Sequence, residues 1–161
     1  MRKNSGFTLI ELLTVIAIIG IAAAIAIPNL IGWLPNYRLR SAARDIYSTL
    51  QRARLQAVKE NASVVVNFST VTDDYLAFVD NGEGGGTAGN EIRDGGERIF
   101  GSMNMPPGIN ITSAAFGAVT RVRYTSRGLP FNNRIGHVEV GNSQNNRMRV
   151  IVNWTGGVRI E

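Results

Sequence analysis

Glu11 is the residue whose setting calls for chemistry: it is a lone carboxylate heading an uncharged stretch that covers residues 12–34. At about 1.5 Å per residue that stretch gives roughly 35 Å of helix, enough for a hydrocarbon core of about 30 Å. A carboxylate is unfavourable in such a helix by about 3 kcal/mol at mid-membrane, less near the interface, and it ordinarily has a cationic partner. A plain anchor needs no such group. Snorkelling of the carboxylate to the headgroups is the simpler alternative.

The rest of the chain offers little catalytic chemistry. Cys is absent, which excludes thiol nucleophiles, disulfides and zinc–thiolate sites. His137 is the single histidine and lies in a strand-like run with no Cys or Ser-rich elbow beside it, which reads as a surface or core histidine. Residues 84–89 satisfy G-x-G-x-x-G as a string, but no helix follows, and Glu83, Glu91 and Asp94 would repel phosphate. Residues 81–96 are expected to form a flexible hairpin loop. Its acidic side chains are of calcium-binding type, yet their spacing matches no EF-hand, and neither a metal site nor a cofactor is assigned. No enzyme is expected.

Charge is unevenly placed in a chain of 161 residues with a formal net charge of +5. Residues 36–60 are basic, residues 61–117 acidic, and the last third basic again through Arg121, Arg123, Arg127, Arg134, Arg147, Arg149 and Arg159. Such segregation can match one subunit to the next or present a face to a polyanion. Alternation along strands would put Arg147 with Arg149, and Arg121 with Arg123, on shared faces.

These residues must be held by a small set of elements. After the apolar stretch, Leu39, Ala43, Ile46, Leu50, Ala53 and Ala57 recur at steps of three and four, one stripe of an amphipathic helix over 36–60. Arg40, Arg44, Asp45, Arg52, Arg54 and Lys59 occupy its other faces. Pro28 and Pro35 are expected to kink or break the join, and Asn61 to cap the end. A helix from residue 7 to about 60 would be roughly 80 Å long. Beyond it the period becomes strand-like at 63–68, 75–79, 98–100, 109–112, 121–124, 137–140, 148–154 and 158–160. The expected fold is therefore α+β: a long N-terminal helix packed on an antiparallel β-sandwich or a pair of small sheets.

Gly6, Phe7, Thr8 and Glu11, with Arg2 and Lys3 before them and the apolar run behind, resemble the class III signal of type IV prepilins and type II secretion pseudopilins. The resemblance implies a leader over 1–6, cleavage between Gly6 and Phe7 by a prepilin peptidase, and methylation of the Phe7 amine. It makes 7–34 a transmembrane and filament-core helix and 35–161 a periplasmic globular domain. Thr8, Glu11 and Pro28 become assembly residues, with Glu11 pairing the Phe7 amine of a neighbouring subunit. The same N-terminus, with Ala22, Ala23 and Ala24, also fits a secretory signal; Glu11 and the helical pattern past Pro28 count against it.

Across nearly the whole chain, through stretches such as Leu39-Arg40-Ser41-Ala42-Ala43-Arg44-Asp45, Ser126-Arg127-Gly128-Leu129-Pro130 and Thr155-Gly156-Gly157-Val158-Arg159, the sequence resembles GspH/FimT-type minor pseudopilins and minor pilins. That implies a structural minor pseudopilin of a type II secretion system, or the equivalent minor pilin priming type IV pilus assembly. Its partners would be other pilins or pseudopilins in a filament tip, the prepilin peptidase and the inner membrane. The alternative is a tip pilin capturing extracellular DNA, with Arg147, Arg149 and Arg159 as contacts. Such pilins carry Gly-Arg-x-Arg near the C-terminus; here Gly157 stands at the first Arg, so any DNA binding is expected to be weak.

Overall fold

The computed structural model describes residues 7–161, the side chains of Pro28 and Asn29 excepted. The expected leader, with Gly6, lies outside the described residues. By packing, the chain divides into two units, the second beginning at Pro35.

Helix α1 runs Leu9–Glu60 and is assigned without interruption through Pro28 and Pro35. The expected break is therefore not found. Each proline deletes a single backbone donor, and the flanking hydrogen bonds hold the helix across it. In the first unit, Leu9–Ile27 is apolar and long enough to cross a membrane, and its large side chains are exposed.

In the second unit the expected stripe is the buried face of α1: Leu39, Ala43, Ile46, Leu50, Ala53 and Ala57, joined by Ala42, are all buried. Four alanines on that face let strands approach the helix axis closely. The helix ends as expected at Asn61, which adopts φ +48°. Ala62 N donates to Ala57 O at 3.2 Å and Asn61 N to Val58 O at 3.3 Å, the paired bonds of a Schellman motif. Three arginines of the other faces are tied down. Arg38 donates to Pro107 O, Arg52 to Phe100 O and Arg54 to Gly128 O, at 3.1, 2.8 and 3.1 Å.

Eight strands follow: β1 (Ser63–Ser69), β2 (Asp74–Asp80), β3 (Ile99–Asn104), β4 (Ile109–Phe116), β5 (Arg121–Tyr124), β6 (Gly136–Asn142), β7 (Arg147–Val152) and β8 (Val158–Ile160). They form two four-stranded sheets, ordered β3-β2-β1-β5 and β4-β6-β7-β8, with every pairing antiparallel. The α+β expectation with a pair of small sheets holds. Alternate residues face inward in both sheets, so Val64, Val66, Val122 and Tyr124 meet Val138, Val140, Val150 and Val152 in one core with the helix stripe. Phe68 of β1 stacks on Phe116 of β4 at 5.8 Å between ring centres.

Two expectations fail locally. β7 stops at Val152, not at Trp154, because Asn153 Oδ1 accepts from Thr155 N and Gly157 N at 3.1 and 2.7 Å; this side-chain turn competes with continued strand pairing. Residues 81–96 are not a loose tether either. Asp80 accepts from Gly89 N and Glu91 N at 2.6 and 3.0 Å. Glu97, buried, accepts from Gly82 N and Asp94 N at 2.9 and 3.2 Å. Buried carboxylates bonded to backbone amides hold a loop in one conformation more firmly than neutral acceptors do.

Candidate assembly and binding sites

At the head of α1, Thr8 Oγ1 accepts from Glu11 N at 3.3 Å. Thr8 thus caps the helix and Glu11 sits three residues in, the Thr-x-x-Glu spacing of a capping box. A carboxylate in the first turn also meets the positive end of the helix dipole. Glu11 and Thr8 therefore have a local role that the residues alone announce by spacing. Among the described residues no cation lies within ion-pair distance of the Glu11 carboxylate, and Phe7 beside it is exposed.

Arg147 and Arg149 do share one face of β7, and both converge on Glu139 of β6, at 2.9 and 2.6 Å. Thr112 Oγ1, at an irregularity in β4, adds a hydrogen bond of 2.9 Å to the same carboxylate. Arg149 foremost holds Glu139 down at a pKa of about 2, against the opposing effect of burial. Arg159, on β8, pairs with Glu161 at 2.6 Å. All three candidate DNA contacts therefore lie on one sheet, and each already has a carboxylate.

Arg121 and Arg123 share a face of β5 in the same way. They meet Glu91 of the 81–96 loop, with Arg121 Nε 2.8 Å and Arg123 Nη1 3.9 Å from its oxygens. Arg134 completes the cluster at 2.7 Å, and Arg123 also lies over the Phe131 ring at 4.2 Å. Burial alone would raise the Glu91 pKa, but hydrogen bonds from Arg134 and Arg121 outweigh it and lower it. Arg123 donates to Gly89 O at 3.0 Å as well, so the loop lies over the outer face of this sheet, where Val65 and Phe78 are buried. Glu139 was not singled out by the sequence, and Glu91 was read only as one of the loop acids that would repel phosphate. Their only signal is that an acid and arginines stand on elements that the topology makes neighbours.

Asp94 of the acidic loop is engaged within the loop. Asp94 accepts from Thr87 N at 3.1 Å and from Asn90 Nδ2 at 2.8 Å. Among the described residues, no three His, Cys, Asp or Glu side chains converge as metal ligands. His137, on β6, stands in register between Ala115 and Ile151 and is half-buried.

The comparisons agree with this architecture. A model of the family described as type II transport protein GspH matches residues 42–156, and the prokaryotic N-terminal methylation motif matches residues 1–27. A fimbrial protein of Pseudomonas aeruginosa is 30% identical over 135 residues, covering 80% of this chain and 84% of the relative. The pilin-like protein PilA1 of Thermus thermophilus is 42% identical over 77 residues, and the chain spans only 47% of its length. Two solved structures share the fold. The type IV minor pilin FimU of P. aeruginosa matches with TM-score 0.59 at 13% identity, covering 78% of this chain and 90% of that one. The minor pseudopilin EpsH of the Vibrio cholerae type 2 secretion system gives 0.57 at 12%, with coverages of 77% and 96%. With a capped apolar helix, a two-sheet domain packed on the helix stripe, and both family models matched in their proper places, the chain belongs to the family described as type II transport protein GspH.

Proposed function

We propose that this chain is a structural filament subunit: a minor pseudopilin of a type II secretion system, or the equivalent minor pilin that primes type IV pilus assembly. A prepilin peptidase cuts after Gly6, Phe7 is methylated, the apolar helix sits in the inner membrane, and the domain from Pro35 onward lies in the periplasm. In the filament, Glu11 pairs with the Phe7 amine of a neighbour. The observation that carries this reading is the exposed, uncharged helix led by one carboxylate that has no intrachain cation among the described residues. A buried unpaired carboxylate is unstable in a low-dielectric helix bundle, and a neighbour's amine restores the balance. The α-amino group, with a reference pKa of about 7.7 to 8.0, is largely protonated at neutral pH.

The reading is structural, because Asp80, Glu91, Glu97 and Glu139 are engaged in ion pairs and amide bonds that hold strands and loops. The decisive experiment is N-terminal sequencing with intact mass, followed by recovery of the chain in sheared filament fractions. A start at Phe7 and co-recovery with other pilins are expected. A start near residue 24 would establish an ordinary secretory signal and remove the filament role. A deletion strain then separates the machineries, since loss of exoprotein secretion and loss of twitching are distinct outcomes.

A further inference from the structure

Trp154 is 71% exposed, and the turn beneath it is fixed. Asn153 Oδ1 accepts from Thr155 N, Thr155 Oγ1 and Gly157 N at 3.1, 2.7 and 2.7 Å, so the indole is held out on a tied backbone. Beside it opens a concavity of about 440 Å³, a size ordinary for small-molecule sites. Its walls come from two further fixed segments. Thr125 N donates to Leu129 O and Gly128 N to Thr125 O, at 2.9 and 2.8 Å, and Arg54 Nε donates to Gly128 O at 3.1 Å. The short helical turn Phe131–Asn133 follows, with the Phe131 ring under the Arg123 guanidinium at 4.2 Å.

This concavity presents unspent hydrogen-bonding capacity. Among the described residues, the side chains of Ser126, Arg127, Asn132, Asn133 and Trp154 have no hydrogen-bond or ion-pair partner, although all five line one space. Arg121, Arg134, Arg147, Arg149 and Arg159, by contrast, each have a carboxylate. Asn132 and Asn133 stand at φ +52° and +51°, a conformation that glycine takes without steric cost. Two carboxamides are thus kept on a strained backbone with nothing in the chain to hold, which calls for an account outside the fold.

The groups select a chemistry. Hydroxyls and carboxamides both donate and accept, as sugar hydroxyls do. A pyranose ring carries C–H groups on its faces and hydroxyls round its rim, so its face packs on the indole while the rim reaches Ser126, Asn132, Asn133 and the Trp154 N–H. Arg127 is the one charged group in the lining and suits a carboxylate. A peptide is served less well: the amides of Thr125, Gly128, Arg134 and Ile135 all donate within the chain, leaving no edge there for strand addition. A nucleobase would stack on Trp154 too, but nucleic acid needs several cations for its phosphates, and in this lining Arg127 stands alone.

We infer that Trp154 and this concavity bind an acidic oligosaccharide, with one pyranose ring on the indole, its hydroxyls on Ser126, Asn132 and Asn133, and its carboxylate on Arg127. The site needs no second copy of the chain and does not rest on the filament reading.

Titration calorimetry of the full chain, in a detergent without a sugar headgroup, tests it with tetragalacturonate as the acidic probe and maltotetraose as the neutral one. Tetragalacturonate should bind, and maltotetraose about tenfold more weakly, as for loss of one charge-assisted hydrogen bond. Arg127→Gln should bring the two level, and Trp154→Ala should weaken both by about tenfold. Asn132→Gly and Asn133→Gly should each weaken binding by about fivefold while leaving the melting midpoint close to that of the parent, because glycine suits the backbone there. A lowered midpoint with unchanged binding would assign the asparagines to folding and overturn their part in the site. Equal binding of the two tetrasaccharides overturns the acidic preference. Absence of binding by both, or binding untouched by Trp154→Ala, overturns the site, and tighter Trp154-dependent binding of oligothymidylate would replace the sugar with nucleic acid. Solubilised cell-wall glycan, whose carboxylates lie on peptide stems, tests the source: binding tighter than that of tetragalacturonate places it in the wall, and weaker binding places it in a polysaccharide with acidic rings.

Discussion

Glu139 of β6 and Arg149 of β7 stand directly opposite one another in register, with Oε2 and Nε 2.6 Å apart. With Arg147 on the same carboxylate and Arg159 on Glu161, each of the three arginines at the C-terminal end already has an acidic partner. Phosphates would compete with a carboxylate already in place.

The pair makes the domain acid-sensitive in a defined window. The Glu139 pKa falls from 4.5 to about 2 on folding, mainly through Arg149, and Glu91 is shifted down as well. Groups with depressed folded pKa values stabilise the fold above the unfolded pKa, and that contribution disappears as pH falls through the folded value. Thermal melts of the full chain in detergent should be flat from neutral pH to about 5 and drop between about 4.5 and 2. Glu139→Gln should flatten part of that drop and, as loss of a cross-strand pair, reduce stability at pH 7 by about 0.2 to 1 kcal/mol. An unchanged acid profile in the variant would mean that Glu139 is not linked to folding.

Duplex DNA should bind weakly at best, with Kd of about 10⁻⁴ to 10⁻⁶ M at physiological salt, as for non-specific contacts. Since Arg147, Arg149 and Arg159 are all paired to carboxylates, the slope of log K against log salt should be shallow. Arg149→Ala with Arg159→Ala should abolish what binding there is. A salt titration showing nanomolar affinity at about 150 mM salt would contradict the assignment of these arginines to internal pairs.

Glu11→Ala should leave membrane insertion intact, because it makes the helix more apolar, while recovery in sheared filaments falls. Loss of a first-turn carboxylate also weakens the helix start by about 0.3 to 1 kcal/mol. Glu11→Gln tests which effect matters: it keeps the shape and side-chain acceptor but not the charge. Full filament recovery of Glu11→Gln would rule out pairing with a neighbour's amine.

Gly136→Ala should be among the most disruptive single changes in the domain. A Cβ on Gly136 would run into the Ala115 carbonyl and the Phe116 backbone of β4, and an overpacking cost of about 1 to 3 kcal/mol follows because backbone cannot yield as a side-chain end can. Gly85→Asp, where a Cβ meets nothing within 4 Å, is milder, limited to the strain of its φ of +92°. Denaturant midpoints of the two variants check the ranking.

Removal of residues 1–35 should yield a soluble domain, whereas removal through residue 60 should give aggregation. The second cut strips the stripe from Leu39 to Ala57 off the core and exposes the inner faces of both sheets. A well-behaved 61–161 fragment would show that the helix is dispensable to the core.

Local pattern was enough to specify the apolar helix, the Leu39–Ala57 stripe, the left-handed cap at Asn61 and all eight strands, because periodicity, capping and β-branched runs act over a few residues and need no distant partner. The Thr8–Glu11 cap was missed, although its Thr-x-x-Glu spacing is a signal of the same local kind. Strands joined by a short turn, β1 with β2 and β7 with β8, are neighbours by that turn, but the full orders β3-β2-β1-β5 and β4-β6-β7-β8 were not legible, since they depend on how two sheets share one helix. That topology alone brings Glu139 beneath Arg147 and Arg149, and Glu91 into contact with Arg121 and Arg134. It also turns the acidic loop at 81–96 from an expected flexible tether into a fixed cover, through buried carboxylates that find amides across the loop. A charge in the sequence has only a sign. Its partner, and so whether it is a binding site or a clasp, is decided by tertiary packing.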